Sequence, residues 1–108
     1  MTNEELNTRL YEKLVASQDR YRTWLLSQSP QEILYHCYEY TIREDIILAL
    51  EYVDLTDEQC MALLESRDPL DDIFADFENR ETDHMTDIMD TMERRADKLL
   101  REAKKDAR

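Results

Sequence analysis

The chain has 108 residues, with 26 Asp and Glu against 14 Lys and Arg, a net charge of −12 and no glycine. That length supports one domain with a modest core. Without glycine a phosphate-cradling loop, a Rossmann turn or a type I′ hairpin cannot be built. So acidic a body also repels nucleic-acid phosphates, which argues against direct binding to DNA or RNA.

Cys37 and Cys60 are too few for a disulfide framework and read as buried, reduced thiols of a cytoplasmic protein. The amino terminus is polar from its second residue, unlike a signal peptide. The longest apolar run, Ile46 to Leu50, is far shorter than the ~20 residues of a membrane span. A soluble protein without membrane contact is expected.

Capping chemistry marks four helix starts in chain order. Thr2 with Glu5 has the spacing of a capping box, and Leu6, Leu10 and Leu14 follow at helical spacing toward Trp24 and Leu25. Ser29-Pro30-Gln31-Glu32 is a second such start, with proline where a missing N–H costs nothing. Between Pro30 and Val53 the pattern admits one helix or two with a bend near Arg43. Thr56-Asp57-Glu58-Gln59 is the third start, with Leu55 and Cys60 as a candidate hydrophobic staple. Asp68-Pro69-Leu70-Asp71 opens the fourth. Strand signals are missing: the chain has two valines and no Asn-Gly turn. The expectation is an all-α single domain, a small bundle of four or five helices. Its last helix would run from Pro69 nearly to the end, about 37 residues and ~55 Å.

Charge is unevenly placed. Residues 1–43 carry a net −1, residues 44–97 a net −14 and residues 98–108 a net +3. On one continuous final helix Asp72, Asp76, Asp83, Asp87, Asp90 and Asp97 share an arc of roughly 80° over about 38 Å. Leu70, Phe74, Phe77, Ile88, Met92 and Leu99 form the opposite, core-facing stripe. Aspartate is a weak helix former and like charges at i,i+4 repel, so the row opposes local stability. Such a row suits mimicry of a phosphate backbone, docking into the basic cleft of a nucleic-acid-binding protein. One DNA strand places about eleven phosphates in that distance, so six aspartates match roughly half of it. The plain alternative is a solvated face that serves solubility.

Other candidates have simpler explanations. Glu81-x-x-His84 has the spacing of a di-iron helix motif, but no second copy exists, and a partly buried acid–histidine pair accounts for it. His36 and Cys37 point about 100° apart on a helix and converge on nothing, so neither catalysis nor zinc is expected of them. Tyr11, Tyr21, Tyr35, Tyr38, Tyr40, Tyr52 and Trp24 read first as core. The basic tail from Lys98 to Arg108 complements a helix carboxyl end. No residue set calls for a cofactor, a metal or an enzymatic role.

The segments DPLDDIFADFENRETDHM (68–85) and REDIILALE (43–51) resemble a domain-of-unknown-function family of short acidic proteins from Gram-positive gut anaerobes and their mobile elements. The similarity covers most of the chain and supplies no catalytic residues. The genetic setting that the resemblance implies favours an anti-defence role. The leading expectation is thus an inhibitor of anti-CRISPR or anti-restriction type that works by DNA mimicry through the six aspartates. The alternative is a helical adaptor or homodimerisation module that uses apolar contacts on the last helix, including Met85, Met89 and Met92.

Overall fold

The computed structural model describes residues 1–79 and 84–106. It is all-α, with α1 Asn3–Leu26, α2 Pro30–Ala49, α3 Asp57–Glu65, α4 Pro69–Glu78 and α5 His84–Asp106. All four capping starts are realised. The side chains of Thr2, Ser29, Thr56 and Asp68 accept from the backbone N–H groups of Glu5, Glu32, Gln59 and Asp71. At α3 both halves of a capping box form. Residues 30–49 make one helix without a break at Arg43.

The lack of glycine is met at the helix ends. Among the described residues none has positive φ. The chain leaves its helices through right-handed residues at Ser27, Leu50 and Asn79 and through extended Ser66. Side chains then replace the usual left-handed cap. Lys13 donates from Nζ to the carbonyls of Leu64 (2.7 Å) and Ser66 (2.5 Å), closing the end of α3. Asn3 donates to the Leu55 carbonyl (3.1 Å) and to Asp57 Oδ1 (2.7 Å), tying the start of α1 to that of α3.

α1 is the central element and packs on α2, α3 and α4, while α2 also meets α4. Leu6, Leu10 and Leu14, one turn apart, lie on its buried face; Leu10 and Leu14 cluster with Ile47 and Leu70, and Cys60 and Phe74 are buried as well. Val15, Ile46, Leu50, Leu55, Leu63 and Leu64 pack partly buried against this core. No described helix is long and apolar enough to cross a membrane.

The final helix expected from Pro69 to the end is two helices. α4 stops at Glu78 with Asn79 as its cap, and α5 begins at His84. α5 buries none of its residues. Accordingly Ile88, Met92 and Leu99 are exposed, whereas Leu70 and Phe74 are core and Phe77 is half-buried. The radius of gyration is 20.3 Å, against about 13 Å for a compact chain of this length. The longest dimension is 71 Å.

A buried guanidinium holds three of the helices together. Arg43 of α2 is only 3% exposed. It donates from Nε to Gln18 Oε1 (3.0 Å), from Nη2 to Ser17 Oγ (2.9 Å) and from Nη1 to Asp71 (3.4 Å). Ser17 Oγ in turn donates to Asp68 Oδ1 (2.7 Å), and Gln18 Nε2 donates to Glu44 Oε1 (3.0 Å) and the Tyr40 carbonyl (3.1 Å). The guanidinium lies 4.5 Å from the centre of the Tyr21 ring, a cation–π distance. The Tyr21 hydroxyl is buried without a hydrogen-bond partner among the described residues. Burial, reinforced by the nearby Glu39 carboxylate, pushes its pKa up to about 12.

Three outcomes follow. Arg43→Ala strips partners from Ser17, Gln18 and Asp71, and denaturant unfolding should show a loss of about 3 kcal/mol. Asp71→Ala should cost less than about 1 kcal/mol, because its side chain is 67% exposed. Tyr21 has a raised folded-state pKa, so its contribution is complete below its unfolded value near 10 and is lost as pH climbs toward 12. Unfolding curves of the wild type and Tyr21→Phe should therefore converge or cross over that window, with a relative shift on the order of 2 kcal/mol.

Candidate functional site

Three surfaces could carry function, and they differ in chemistry. The first is acidic. Residues 44–79 hold twelve acids and a single base, Arg67, whereas α5 holds six acids and six bases. The negative charge therefore belongs to the packed bundle, and α5 is neutral overall.

That placement divides the expected aspartate row. Asp72 and Asp76 are exposed on α4, and Asp72 also accepts from the Ser66 hydroxyl. Asp87, Asp90 and Asp97 are exposed on α5, and Asp83 lies outside the described residues. No single straight helix carries the six. On α5 the row is also interrupted by cations. Arg94 lies with Asp90, Glu93 and Asp97 around one shallow depression, and its Nε donates to the Asp90 carbonyl at 3.4 Å. None of the five described aspartates forms an ion pair within 4 Å among the described residues. They remain available to solvent, but on two separate elements.

The second surface is apolar and occupies α5. At 100° per residue, Met85, Ile88, Met89, Met92, Ala96, Leu99, Leu100 and Ala103 share an arc of roughly 120°. Between Met85 and Ala103 no charged residue falls inside that arc. Every one of these side chains is exposed, Met92 at 66% and Leu99 at 53%. An amphipathic stripe of this width ordinarily faces a core. Here nothing among the described residues covers it. Helices in proteins draw most of their stability from packing an amphipathic face, so the stripe is the feature that most needs a partner.

The third surface is aromatic and lies at the α1–α2 hairpin. Trp24 meets His36 edge-on at 5.2 Å, and His36 meets Tyr35 edge-on at 5.1 Å. Glu32 lies 3.5 Å from His36 Nε2. Tyr35 is 80% exposed, and Leu34, Tyr38 and Leu26 are exposed beside it. The aromatic residues expected in the core are consequently at the surface: Tyr11, Trp24, Tyr35, Tyr38 and Tyr52 are exposed, and Tyr21 and Tyr40 are half-buried. Among the described residues the outward face of α2 is left uncovered, so its aromatics stay wet.

The chemically reactive residues do not converge. Cys60 is buried, and burial raises its thiol pKa, which makes it inert. Cys37, expected to be buried, is exposed. His84 is exposed too, not half-buried, and Glu81 lies outside the described residues. Among the described residues no three His, Cys, Asp or Glu side chains are grouped to hold a metal ion.

No curated protein and no solved structure is similar to this chain. One family model does match, and it spans residues 6–100, taking in all four packed helices and most of α5. Bundle and projecting helix thus belong to one shared pattern, and the chain is a member of the family described as Protein of unknown function (DUF3848).

Proposed function

We propose that this chain is a non-enzymatic protein-interaction module, in which a small acidic bundle carries α5 as its docking helix. The carrying observation is the apolar stripe of α5, clear of charge from Met85 to Ala103 and fully open to solvent. Docking of this kind works by burying methionine and leucine side chains, and methionine adapts readily to an irregular partner surface. Burial of each side chain contributes roughly 1.5–3 kcal/mol, so four or five suffice for a specific complex. No catalytic residue, cofactor or metal has a part in it.

The placement of charge favours a second reading. With twelve acids against one base over residues 44–79, α2, α3 and α4 present a carboxylate-rich surface that includes Asp72 and Asp76. We infer that this surface could occupy the basic cleft of a nucleic-acid-binding bacterial defence protein, as an inhibitor of anti-CRISPR or anti-restriction type. The mobile-element setting implied by the sequence resemblance supports it. The division of the aspartate row between α4 and α5 moves the weight of such mimicry from α5 to the bundle.

Salt separates the two. A complex held by the apolar stripe should survive washing at ~1 M NaCl, where the Debye length is about 3 Å. Met92→Glu with Leu99→Glu should abolish it while leaving the thermal unfolding of the bundle unchanged. A complex held by carboxylates should be lost at that salt, should compete with DNA, and should respond to Asp72→Lys with Asp76→Lys. Capture from a host lysate with these three baits, at low and high salt, distinguishes them. Retention of every partner by the Met92→Glu, Leu99→Glu bait at high salt would sink the docking-helix reading.

A further inference from the structure

α5 is symmetric about Arg94. Its apolar residues stand in matched pairs on either side: Met92 and Ala96 two residues away, Met89 and Leu99 five, Ile88 and Leu100 six, Met85 and Ala103 nine. Three pairs of its charges are matched with opposite sign, while Asp97 and Glu102 mirror Thr91 and Thr86. Glu93 mirrors Arg95, Asp90 mirrors Lys98 and Asp87 mirrors Arg101. Residues 84–93 hold three acids and no Lys or Arg, and residues 94–106 hold six bases and three acids. The amino half is thus negative and the carboxyl half positive by the same amount.

From this we propose that the occupant of the α5 stripe is a second copy of the same chain, with the two α5 helices antiparallel about a two-fold axis at Arg94. The proposal rests on the docking-helix reading and names its partner. A two-fold axis between antiparallel helices places residue i level with residue 188 − i of the other copy. Apolar layers then meet apolar layers along the seam, and the levels of Asp87, Asp90 and Glu93 lie beside those of Arg101, Lys98 and Arg95. The mirrored charges share a level, not a contact, so they select orientation more than they add affinity. Arg94 lies on the polar side of the helix, away from the seam, where its own copy does not crowd it.

A parallel pair keeps the apolar register but fails on charge. It would set the acidic halves side by side and the basic halves likewise. It would also bring together two bundles whose residues 1–79 carry eighteen acids and six bases each. The antiparallel arrangement holds the bundles at opposite ends of a helix pair about 34 Å long, several Debye lengths apart at physiological salt. Each bundle then lies toward Lys104 and Lys105 of the other copy. Only one orientation satisfies apolar register, half-helix charge and repulsion between bundles together.

The experiment is sedimentation equilibrium of the full chain, coupled to disulfide trapping in a Cys37→Ser background. The expected result is a dimer whose dissociation constant rises about 100-fold or more with Met92→Glu plus Leu99→Glu. The double variant Met85→Cys, Ala103→Cys should form disulfide-linked dimers on mild oxidation, and neither single variant should. Cross-linking by Met85→Cys alone would mean a parallel pair and overturn the proposal. A monomer at ~100 μM would also overturn it, and hydrogen exchange then decides the reading beneath. Fast exchange along α5 would leave the stripe free for a foreign partner, so the docking-helix reading would stand. Slow exchange in a monomer would mean that the bundle itself covers the stripe, and both would fall.

Discussion

The bundle depends on the burial of one positive charge. In a chain whose residues 44–79 carry twelve acids and one base, Arg43 places its guanidinium beneath α1 and α4, where its cost is met by a planar set of acceptors. Three acceptors at fixed angles require a fork, and lysine, a single point charge on a flexible stem, has none. Asp68 takes part twice, capping α4 through the Asp71 N–H and accepting from Ser17, which itself accepts from Arg43. The position of α4 is therefore set by hydrogen bonds as much as by Leu70 and Phe74. Because α4 ends at Glu78, the same network decides where the chain leaves the bundle.

Outside that network the core is small. Among the described residues eight hydrophobic side chains are buried, and all come from the first four helices. α5 contributes none of them. The consequence is a molecule with two kinds of surface that obey different physics. The bundle offers carboxylates, whose influence reaches about a Debye length and fades with salt. α5 offers methionine and leucine, whose attraction is short-ranged and indifferent to salt. Both surfaces are matched by the same family model, which spans residues 6–100.

The division of the aspartate row shows how far periodicity can be trusted. Counting 100° per residue from Asp72 to Asp97 presumes one uninterrupted helix, and nothing in the spacing of charges marks a stop. The stop is at Asn79, a short polar residue whose N–H caps onto the Ala75 and Phe77 carbonyls. With neither glycine nor proline there, the usual punctuation is missing. The apolar stripe suffered the same way. Periodicity showed correctly that Ile88, Met92 and Leu99 share a face, but not that this face would lie beyond the core.

Local chemistry was legible in the sequence. Thr2, Ser29, Thr56 and Asp68 start helices because a side-chain oxygen three residues before an unpaired N–H acts over a few ångströms, whatever the rest of the chain does. The all-α class followed from those caps and from the want of alternating apolar runs and hairpin turn dipeptides. Burial was legible only in part: Leu70, Phe74 and Cys60 are inside as their pattern suggests, and the rest was decided by tertiary structure. Arg43 is inside because Ser17, Gln18 and Asp71 converge on it, while Tyr35, Tyr38 and Cys37 are outside because nothing among the described residues covers that side of α2. A face becomes core only when another element arrives to cover it, and that arrival depends on contacts between residues far apart along the chain.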